Sequence, residues 1–486
     1  MTQTQFLIAL IALIPFANAL IAKFCDDSSK LVSLIEKMLP VLFSINLVGI
    51  YGNLARDNSY LVISEATRGV AIGFDIDHLG LVFLFLLNFI WIVFAFYSQK
   101  FLRLLEVKNS ADLKLFLALI IAFINLIILG KNLLTILFFY NCLIILCHFF
   151  GLKFLHKKET KFSTFFTFLL YLESLFLFLA IVATYKFMGQ VDFAANGIIS
   201  GDIDSAKYGM ILVCYLVGLF LSVLVPFYLL YRDINLDLIT IYSLFFLSYA
   251  FVSIYILLKV LYSIFGIENF ALIFSGMGFA IFEWLFLFNI AVAGVCVIVS
   301  KGIKSSFFYL FFQQFSFVIF SIFLFATFDE SKISVAILSF VFSITLIFFC
   351  ISNFILYLGK AENKSMVGLF YDLKISTILL IFALANLMGI APGVGAVEKF
   401  FLLKVIFKQK LIVSAVIILV NFVTLAAFAW KAVLPFFYRP EEVRSQTDQE
   451  LAKSIDFDSS LILTAFTTAV AIVLSLIFSP FLIKFL

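Results

Sequence analysis

Runs of apolar residues, each about as long as a helix needs to cross a lipid bilayer, follow one another along almost the whole chain. The hydrocarbon core of a bilayer requires about 20 predominantly apolar residues in a helix, and about fourteen such runs can be marked out. Of the 486 residues, 64% are hydrophobic and only 13% are charged, too few to cover the surface of a soluble protein. The sequence therefore predicts an all-α integral membrane protein.

The predicted spans are numbered 1 to 14 in chain order. Their boundaries are 6–22, 38–54, 79–98, 113–130, 133–150, 162–185, 208–229, 238–258, 272–299, 306–326, 333–358, 375–406 (interrupted), 411–430 and 461–483. Span 1 ends in Ala17-Asn18-Ala19, which resembles a signal-peptidase cleavage site. No positive charge precedes this run, as one should in a signal peptide, so span 1 is predicted to be a membrane helix.

Lysine and arginine are concentrated in the loops that follow the odd-numbered spans. Examples are Lys100 and Arg103 after span 3, Lys157 and Lys158 after span 5, and Arg439 after span 13. By the positive-inside rule these loops are cytoplasmic. The sequence thus predicts a multi-pass protein of the cell (inner) membrane with both termini on the non-cytoplasmic side.

The composition offers little for chemistry outside the membrane. A net charge of +4 does not indicate nucleic-acid binding, the six cysteines include no CxxC pair, and the three histidines share no metal-ligand spacing. No cofactor, no metal and no catalytic site of the chain's own are expected. The longest polar stretch, residues 439–460, is too short for a domain and predicts a linker or a surface helix.

Two prolines interrupt otherwise apolar spans. Pro226 lies in span 7 and Pro392 in span 12, beside Gly389 and Gly393, and residues 41–434 contain no other proline. If spans 4–8 and 9–13 are two inverted five-helix repeats, each proline marks the fourth helix of its repeat, a pattern of inverted-repeat transporters. Each break is either a wet polar path or a simple packing kink. The predicted divisions are 1–110 (spans 1–3), 111–265 (first repeat), 266–435 (second repeat) and 436–486 (polar loop and span 14).

Six segments resemble, in the same order, segments of one family of membrane proteins. They are residues 74–98 (FDIDHLGLVFLFLLNFIWIVFAFYS), 132–151, 189–194 (GQVDFA), 217–233, 304–317 (KSSFFYLFFQQFSF) and 388–403 (MGIAPGVGAVEKFFLL). The family is that of the antiporter-like subunits, shared by the membrane arm of respiratory complex I, membrane-bound hydrogenases and Mrp-type cation/proton antiporters. The largest complex I member adds a long lateral helix after its fourteenth span, and the lack of one here favours the shorter members, such as the Mrp D-like subunit.

The resemblance implies a fold of fourteen helices in which helices 7 and 12 are broken and each subunit is similar to half of a proton pump. The family places a glutamate on helix 5, a lysine at helix 7, a lysine or histidine on helix 8, and a lysine or glutamate at helix 12. Here those positions fall on Asn141, on Leu221 or Ser222, on Phe251 and on Lys399. The resemblance therefore implies that the first half-channel is lost and that Lys399 belongs to a retained half.

Other polar residues could replace the missing ones. Glu173 in span 6 and Glu283 in span 9 lie where an isolated charge is costly, so each needs a partner or a water cavity. Each is either a relocated protonatable site or one half of a structural ion pair, for instance with a lysine of a neighbouring subunit. Lys259 stands where the family often has arginine. Gln313 and Gln314 either line a hydrated path or hydrogen-bond between helices.

Lys304, His148 and Glu398 complete the candidates for an ion pathway. Lys304 matches a basic residue before helix 10 of the family, and its alternative role is that of a cytoplasmic anchor. His148 is either a proton relay or an interfacial residue. Glu398 is expected to pair with Lys404 or with an adjacent helix rather than with Lys399, because neighbouring residues on a helix do not face each other.

The predicted function is that of a membrane subunit in a multisubunit cation/proton antiporter or a respiratory-type proton-translocating complex. Its partners would be other membrane subunits of the complex, the lipid bilayer, and H⁺ or Na⁺ as the transported ion. Two alternatives stay open: a degenerate, non-conducting scaffold in such a complex, and an unrelated carrier for a small solute. No flavin, quinone or iron–sulfur motif is visible, so any NADH–quinone oxidoreductase activity would belong to the assembly.

Overall fold

A computed structural model of the chain describes most of its length. The described residues are 3–24, 30–53, 60–67, 70–104, 110–154, 157–194, 196–199, 205–231, 239–274, 277–300, 302–360, 366–439, 446–456 and 458–482.

Helices dominate the described residues. They are α1 (Gln3–Phe24), α2 (Lys30–Asn53), α3 (His78–Leu104), α4 (Ser110–Ile128), α5 (Leu133–Phe154), α6 (Lys157–Met188), α7 (Ser205–Phe220), α8 (Ile239–Lys259), α9 (Ile267–Phe274), α10 (Met277–Val299), α11 (Ile303–Phe328), α12 (Ile333–Lys360), α13 (Leu369–Asp372), α14 (Lys374–Met388), α15 (Val394–Gln409), α16 (Ile412–Phe428), α17 (Gln446–Asp456) and α18 (Ser459–Leu482). Strands β1 (Tyr60–Thr67) and β2 (Val70–Asp75) form an antiparallel hairpin between α2 and α3.

Within the described residues, eleven helices are long and apolar enough to cross a membrane, and a twelfth span results if the bent pair α17–α18 is counted as one. This number is lower than the fourteen spans predicted. The difference arises at predicted spans 5 and 12. Span 5 corresponds to α5, which contains only a shorter apolar stretch, and span 12 is divided into α14, whose apolar stretch is also short, and α15. Each predicted run nevertheless coincides with helix in the structure.

Two features lie outside the predicted spans. The β1–β2 hairpin is an addition to the predicted all-helical architecture, and its strands of eight and six residues are too short to register as spans. The described part of the polar stretch 439–460, for which a linker or a surface helix was expected, contains the helix α17. The carboxylate of Asp456, at the end of α17, accepts hydrogen bonds from the N–H groups of Ile375 (2.8 Å) and Ser376 (3.0 Å), so α17 caps the first turn of α14.

Two helices, α11 and α12, form the centre of the protein. Their membrane-spanning parts are completely buried, as expected for helices that are apolar on every side. The outer helices bury one face and expose the other, with large apolar side chains such as Trp284 on α10 and Ile412 on α16 pointing outward. Because lipid tails are themselves apolar, such a surface suits a bilayer.

Both predicted proline positions lie where a helix ends. The α-helix α7 stops at Phe220 and continues as short 3₁₀ turns, with Pro226 between them; we call residues 221–231 the first break. Helix α14 stops at Met388 and α15 starts at Val394, with Pro392 between them; residues 389–393 are the second break. The peptide bonds before both prolines are cis.

Candidate functional site

The second break is compact because glycines allow the start of α15 to fold back against the end of α14. Gly389 ends α14 in the left-handed conformation, with φ of 86°. A Cβ atom on Gly389 would lie 2.5 Å from Cγ of Lys399, and one on Gly393 would lie 2.0 Å from Oδ1 of Asn386. That same oxygen accepts a hydrogen bond from the N–H of Gly395 at 2.8 Å. The glycines thus bring the stem of Lys399 against the break.

Lys399 is held in a buried pair directly beside the second break. Its Nζ donates to Oε2 of Glu398 at 3.0 Å and lies 4.2 Å from the ring centre of Phe317, while Ser321 donates to the other oxygen of Glu398 at 3.4 Å. Glu398 therefore pairs with Lys399, contrary to the expectation, and not with Lys404, which is exposed, while the expected contact with an adjacent helix is the hydrogen bond from Ser321 of α11. The side chain of Lys399 is long enough for its ammonium to bend back toward Glu398. The buried side chains around the pair direct the ammonium and the carboxylate toward each other.

A buried pair of this kind has a clear chemical capability. Only 8% of Lys399 and 3% of Glu398 are exposed, so both charges have lost most of their hydration. Transfer of one proton from the ammonium to the carboxylate would neutralise both groups with little movement of either side chain. The pair can therefore be ionised or neutral without a net gain or loss of a proton, and it gains or loses one only by exchange with a further group.

The first break also contains a buried ionisable side chain, Glu173 of α6. Its Oε1 accepts hydrogen bonds from the backbone N–H of Ser222 at 2.7 Å and from the hydroxyl of Tyr249 at 2.9 Å, and its Oε2 faces the hydroxyl of Tyr140 at 3.5 Å. Glu173 is fully buried. All three donors belong to the same chain, so no surface is left for the lysine of a neighbouring subunit that was one alternative for this residue.

Helix α6 reaches the first break because Gly218 lets α7 approach it closely. A Cβ atom on Gly218 would lie 2.7 Å from the backbone nitrogen of Leu177 and 3.1 Å from the backbone oxygen of Glu173. The two backbones therefore touch two residues before α7 ends. This contact sets the Glu173 carboxyl at the height of the backbone N–H of Ser222, which belongs to the 3₁₀ turn that follows α7.

The hydroxyl of Tyr249 connects Glu173 with the backbone of α7. It lies 2.6 Å from the carbonyl oxygen of Leu219, 2.9 Å from Glu173 and 3.0 Å from the donating hydroxyl of Ser222. One phenolic proton cannot serve two acceptors. If Glu173 is ionised, Tyr249 donates to it; if Glu173 is protonated, it donates to Tyr249, which then donates to Leu219. The carboxyl can therefore hold or release a proton while the network stays connected.

Two of the three positions where the family carries ionisable groups in its first half lie close to Glu173. Asn141 on α5 accepts a hydrogen bond from Ser174 at 2.8 Å, directly beside Glu173 in sequence. Leu221 immediately precedes Ser222 in the first break. Phe251 on α8 is buried against an aromatic ring and has no acid near it in this network. The carboxyl absent from α5 is thus matched by one on the adjacent helix α6.

Sequence reasoning missed Asn289, which joins the first break to the second half of the chain. Its Oδ1 accepts from the N–H of Val225 at 2.9 Å, and its Nδ2 donates to Ser316 of α11 at 2.7 Å and to the carbonyl of Val223 at 3.3 Å. An amide suits a broken helix because it donates and accepts at once. The available signal was one asparagine in the apolar run of α10.

Helix α11 carries polar groups from the first break toward the second. Gln314 donates to Gln313 at 3.0 Å and to Asn421 of α16 at 2.7 Å. The amide nitrogens of Gln313 and Asn421 have no hydrogen-bond partner among the described residues. Buried amide donors without a partner are costly, so this cluster is a place for water. Ser316, which contacts Asn289, and Ser321, which contacts Glu398, lie about 8 Å apart along the helix.

Lys259 lies apart from both breaks. Its Nζ bonds to Oδ2 of Asp77, which precedes α3, at 2.7 Å and stacks 4.7 Å from the ring centre of Phe193. Partial burial of the Asp77 carboxyl raises its pKa, but the Lys259 ammonium and the N–H of Gly80 outweigh this effect and hold the pKa of Asp77 below its usual value. This pair fastens the end of α8 to the start of α3.

The other predicted site residues are also separate from the breaks. Glu283 near the start of α10 is 6% exposed and accepts a hydrogen bond from Ser414 of α16. Lys304 lies in the first turn of α11, about 20 Å along the helix from Phe317. His148 is partly buried near the end of α5, about 10 Å along that helix from Asn141. Within the described residues, no group of three or more His, Cys, Asp or Glu side chains could hold a metal ion.

Comparisons with known proteins give a result at the level of structure only. No family model matches the sequence, and no curated protein matches it. A chain of the Mrp complex from Dietzia sp. DQ12-45-1b superposes with a TM-score of 0.72 at 14% identity, over 100% of this chain and 96% of that one. A chain of the membrane-bound sulfane sulfur reductase (MBS), an archaeal respiratory membrane complex, gives 0.71 at 12% identity, over 99% of each chain.

Respiratory complex I from Thermus thermophilus contains a third similar chain. It has a TM-score of 0.67 at 15% identity, and the match covers 98% of both chains. The similarity therefore extends over the whole length of this protein and includes both breaks. At such low identities the likeness concerns the fold, and the chain has the antiporter-like membrane-subunit fold that the sequence resemblance implied.

Proposed function

We propose that this chain is an ion-translocating membrane subunit of a multisubunit complex of the Mrp or complex I type, and that Glu173 and Lys399 carry the transported charge. One observation supports this most directly: each break in the helices has a buried ionisable side chain bonded into it or held against it. The transported ion is H⁺ or Na⁺. The chain needs no catalytic site of its own, and any oxidoreductase activity belongs to its partners.

The proposed topology assigns fourteen crossings of the membrane. Helix α5 and the broken pair α14–α15 are added to the spans that meet the length criterion and to α18. Helices α4–α8 then form one five-helix unit and α10–α16 the other, with the breaks in the fourth crossing of each. The divisions at residues 110, 265 and 435 follow from this assignment, and the lysine-rich loops place both termini on the non-cytoplasmic side.

In the first unit, Glu173 takes the role of the acid that the family has on helix 5. It exchanges its proton with a water path at the break, and Tyr249 changes its acceptor between Glu173 and Leu219 as the carboxyl gains or loses the proton. Protonation at this site therefore alters the hydrogen bonding of the last turn of α7. The break provides the opening that an unbroken helix would close.

In the second unit, Lys399 and Glu398 exchange a proton with each other and with a path beside the second break. Coupling to the first unit runs through α11, since Ser316 reaches Asn289 at the first break and Ser321 reaches Glu398 at the second. The amide cluster at Gln314 lies two residues before Ser316 on the same helix and supplies donors for water. Proton uptake in one unit thereby changes the electrostatic environment of the other.

The competing hypothesis is a scaffold that keeps the fold and conducts nothing. It draws on the loss of ionisable groups at Asn141, Leu221 and Phe251. The burial of three ionisable side chains at the breaks argues against a scaffold, because each side chain must find partners in a low-dielectric interior. These side chains are Glu173, Glu398 and Lys399. A scaffold would be more stable with apolar residues of similar size at these positions. Transport explains their presence without further assumptions.

The experiment is cation-dependent proton flux in vesicles that contain the whole complex at matched expression. We expect Glu173→Gln and Lys399→Met each to abolish flux. The matched control is Glu283→Gln, which alters a buried acid away from both breaks and should conduct normally. Adding Asn141→Glu to Glu173→Gln should restore part of the flux, because it returns an acid to the adjacent helix. Unchanged flux in both break variants, with the complex assembled, would establish the scaffold instead.

A further inference from the structure

A cleft lies among the first four helices, away from both breaks. Helices α1, α2, α3 and α4 line it, and its inner wall is part of α8. Most of the lining is apolar, including Trp91 and Ala95 on α3 and Ala118 on α4. The cleft is partly open to the exterior of the protein. Apolar walls of this kind do not hold water well, so an apolar molecule is the better occupant.

One end of the cleft is polar and carries an ion pair. Lys114 of α4 bonds to Oε2 of Glu36 of α2 at 3.2 Å, and Gln99 of α3 donates to the same oxygen at 3.1 Å. The other oxygen of Glu36 and Oδ1 of Asn18 are buried and have no hydrogen-bond partner among the described residues. Both residues line the cleft and are at least nine-tenths buried. Two acceptors at this end therefore await a donor.

The length of the cleft matches one leaflet of a bilayer. Its lining on α4 runs from Lys114 at the polar end to Ile124, ten residues or about 15 Å along the helix. The hydrocarbon core of a bilayer is about 30 Å thick, so one leaflet is about 15 Å deep. The polar end lies near the ends of α1 and α3 and the starts of α2 and α4, where head groups would be.

We propose that this cleft binds a phospholipid that inserts one acyl chain along α4 and places a primary-ammonium head group against Glu36 and Asn18. The ammonium supplies the N–H donors that the two free acceptors lack, and its phosphate complements the charge of Lys114. The ion pair thus matches a zwitterionic head group charge for charge. This inference is independent of ion translocation, because it rests on the cleft alone.

The acyl chain of the bound lipid also gives a reason for an apolar residue at one position of α8. Phe251 lines the deep end of the cleft, at the position where the family carries a basic side chain. A lysine there would place a charge against the acyl chain, which is costly in an apolar surrounding. Ser248 on the same helix lines the cleft as well, and the residue after it, Tyr249, donates a hydrogen bond to Glu173. The lipid would therefore support the helix that carries the proton network.

Tryptophan fluorescence can test this directly, because the chain has three tryptophans and only one lines the cleft. Trp284 and Trp430 are 62% and 74% exposed, whereas Trp91 is 3% exposed. The full-length chain carrying Trp284→Phe and Trp430→Phe is reconstituted with phosphatidylethanolamine brominated on its acyl chains. We expect Trp91 to be quenched, and quenched less by brominated phosphatidylcholine, whose quaternary ammonium has no N–H.

Three variants separate the bound lipid from the surrounding bilayer. Ala118→Phe and, on the facing helix, Ala95→Phe fill the cleft and should each abolish quenching of Trp91, while Glu36→Gln should abolish the preference between head groups. A chain that retains only Trp284 reports on bulk lipid and on correct insertion, and its quenching should not change with either filling variant. The proposal would be overturned if Trp91 were still quenched in both filling variants, or if the two lipids quenched it equally. It would also be overturned if neither lipid quenched Trp91.

Discussion

The second break leaves no room for a side chain on Gly395, so Gly395→Ala tests whether the two helix ends touch as described. A Cβ atom there would lie 1.8 Å from the backbone oxygen of Asn386 and 2.8 Å from its carbonyl carbon. Carbon and oxygen atoms do not approach this closely, and the obstacle is backbone rather than a flexible side chain. The ends of α14 and α15 must therefore separate by about 1 Å or more.

The expected cost follows from what that separation breaks. Overpacking in a closely packed core costs about 1–3 kcal/mol. Separation also removes the hydrogen bond from Gly395 to Oδ1 of Asn386 and leaves a buried N–H unpaired, which costs about 1–3 kcal/mol. Alanine restores up to about 1 kcal/mol through its better helix propensity. We therefore expect a net loss of about 1–6 kcal/mol, with the centre of this range at about 3.5 kcal/mol.

The assay is equilibrium unfolding of the purified chain in detergent titrated with SDS, followed by near-ultraviolet circular dichroism. The matched control is Gly209→Ala in α7, where an added Cβ would meet no atom within 4 Å. This control should be as stable as the wild type or up to about 1 kcal/mol more stable. Equal stability of Gly395→Ala and Gly209→Ala would refute the close approach of Asn386 and with it the described geometry of the second break.

Three further outcomes follow from the contacts. In the vesicle assay, Tyr249→Phe should lower proton flux more than Tyr140→Phe, because the hydroxyl of Tyr249 lies 2.9 Å from the carboxyl of α6 and that of Tyr140 lies 3.5 Å away. Asn289→Leu should reduce stability by about 1–3 kcal/mol in SDS titration, since it leaves a buried N–H at the first break unpaired. For Asp77→Asn, denaturation followed against pH should show a deficit relative to wild type above about pH 4, the pKa of unfolded aspartate, that disappears as pH falls through the lower pKa of the folded state.

Helix positions were largely predictable because they depend on local properties of the sequence. Runs of about 20 apolar residues and prolines inside them are visible without knowing any long-range contact. The structure places helix at every predicted run, and α7 and α14 end six and four residues before Pro226 and Pro392. The β1–β2 hairpin was not predicted, since its strands are far shorter than a span and pair with each other and, at Phe74, with Gly130. Local patterns of that length do not identify their partner.

The pairing of Glu398 with Lys399 shows where a local rule failed. The rule that adjacent residues do not face each other applies to side chains that project freely from a helix. At the second break the lysine stem is pressed against Gly389 on one side, and its Nζ is placed over Phe317 on the other. These contacts come from α14 and α11, which lie far away in sequence. They direct the ammonium toward the preceding residue.

The first half of the site could be predicted only in part, for a related reason: Glu173 was a candidate, but its partners at the first break were not identified. Matching positions one by one along α5 and α7 led to Asn141 and Leu221, which implied that the acid of helix 5 and the lysine of helix 7 were lost. Such matching compares residues on the same helix. Proton binding at a site depends on the position of the carboxyl group in space and not on which helix carries it. Glu173 on α6 reaches the first break beside Ser222, one residue after Leu221, and its neighbour Ser174 bonds to Asn141. A site formed by side chains from three helices can retain a carboxyl group even when the sequence of each helix changes. The loss of an acid from α5 is therefore no evidence for the loss of an acid from the site, and the Asn141→Glu rescue of Glu173→Gln tests this argument.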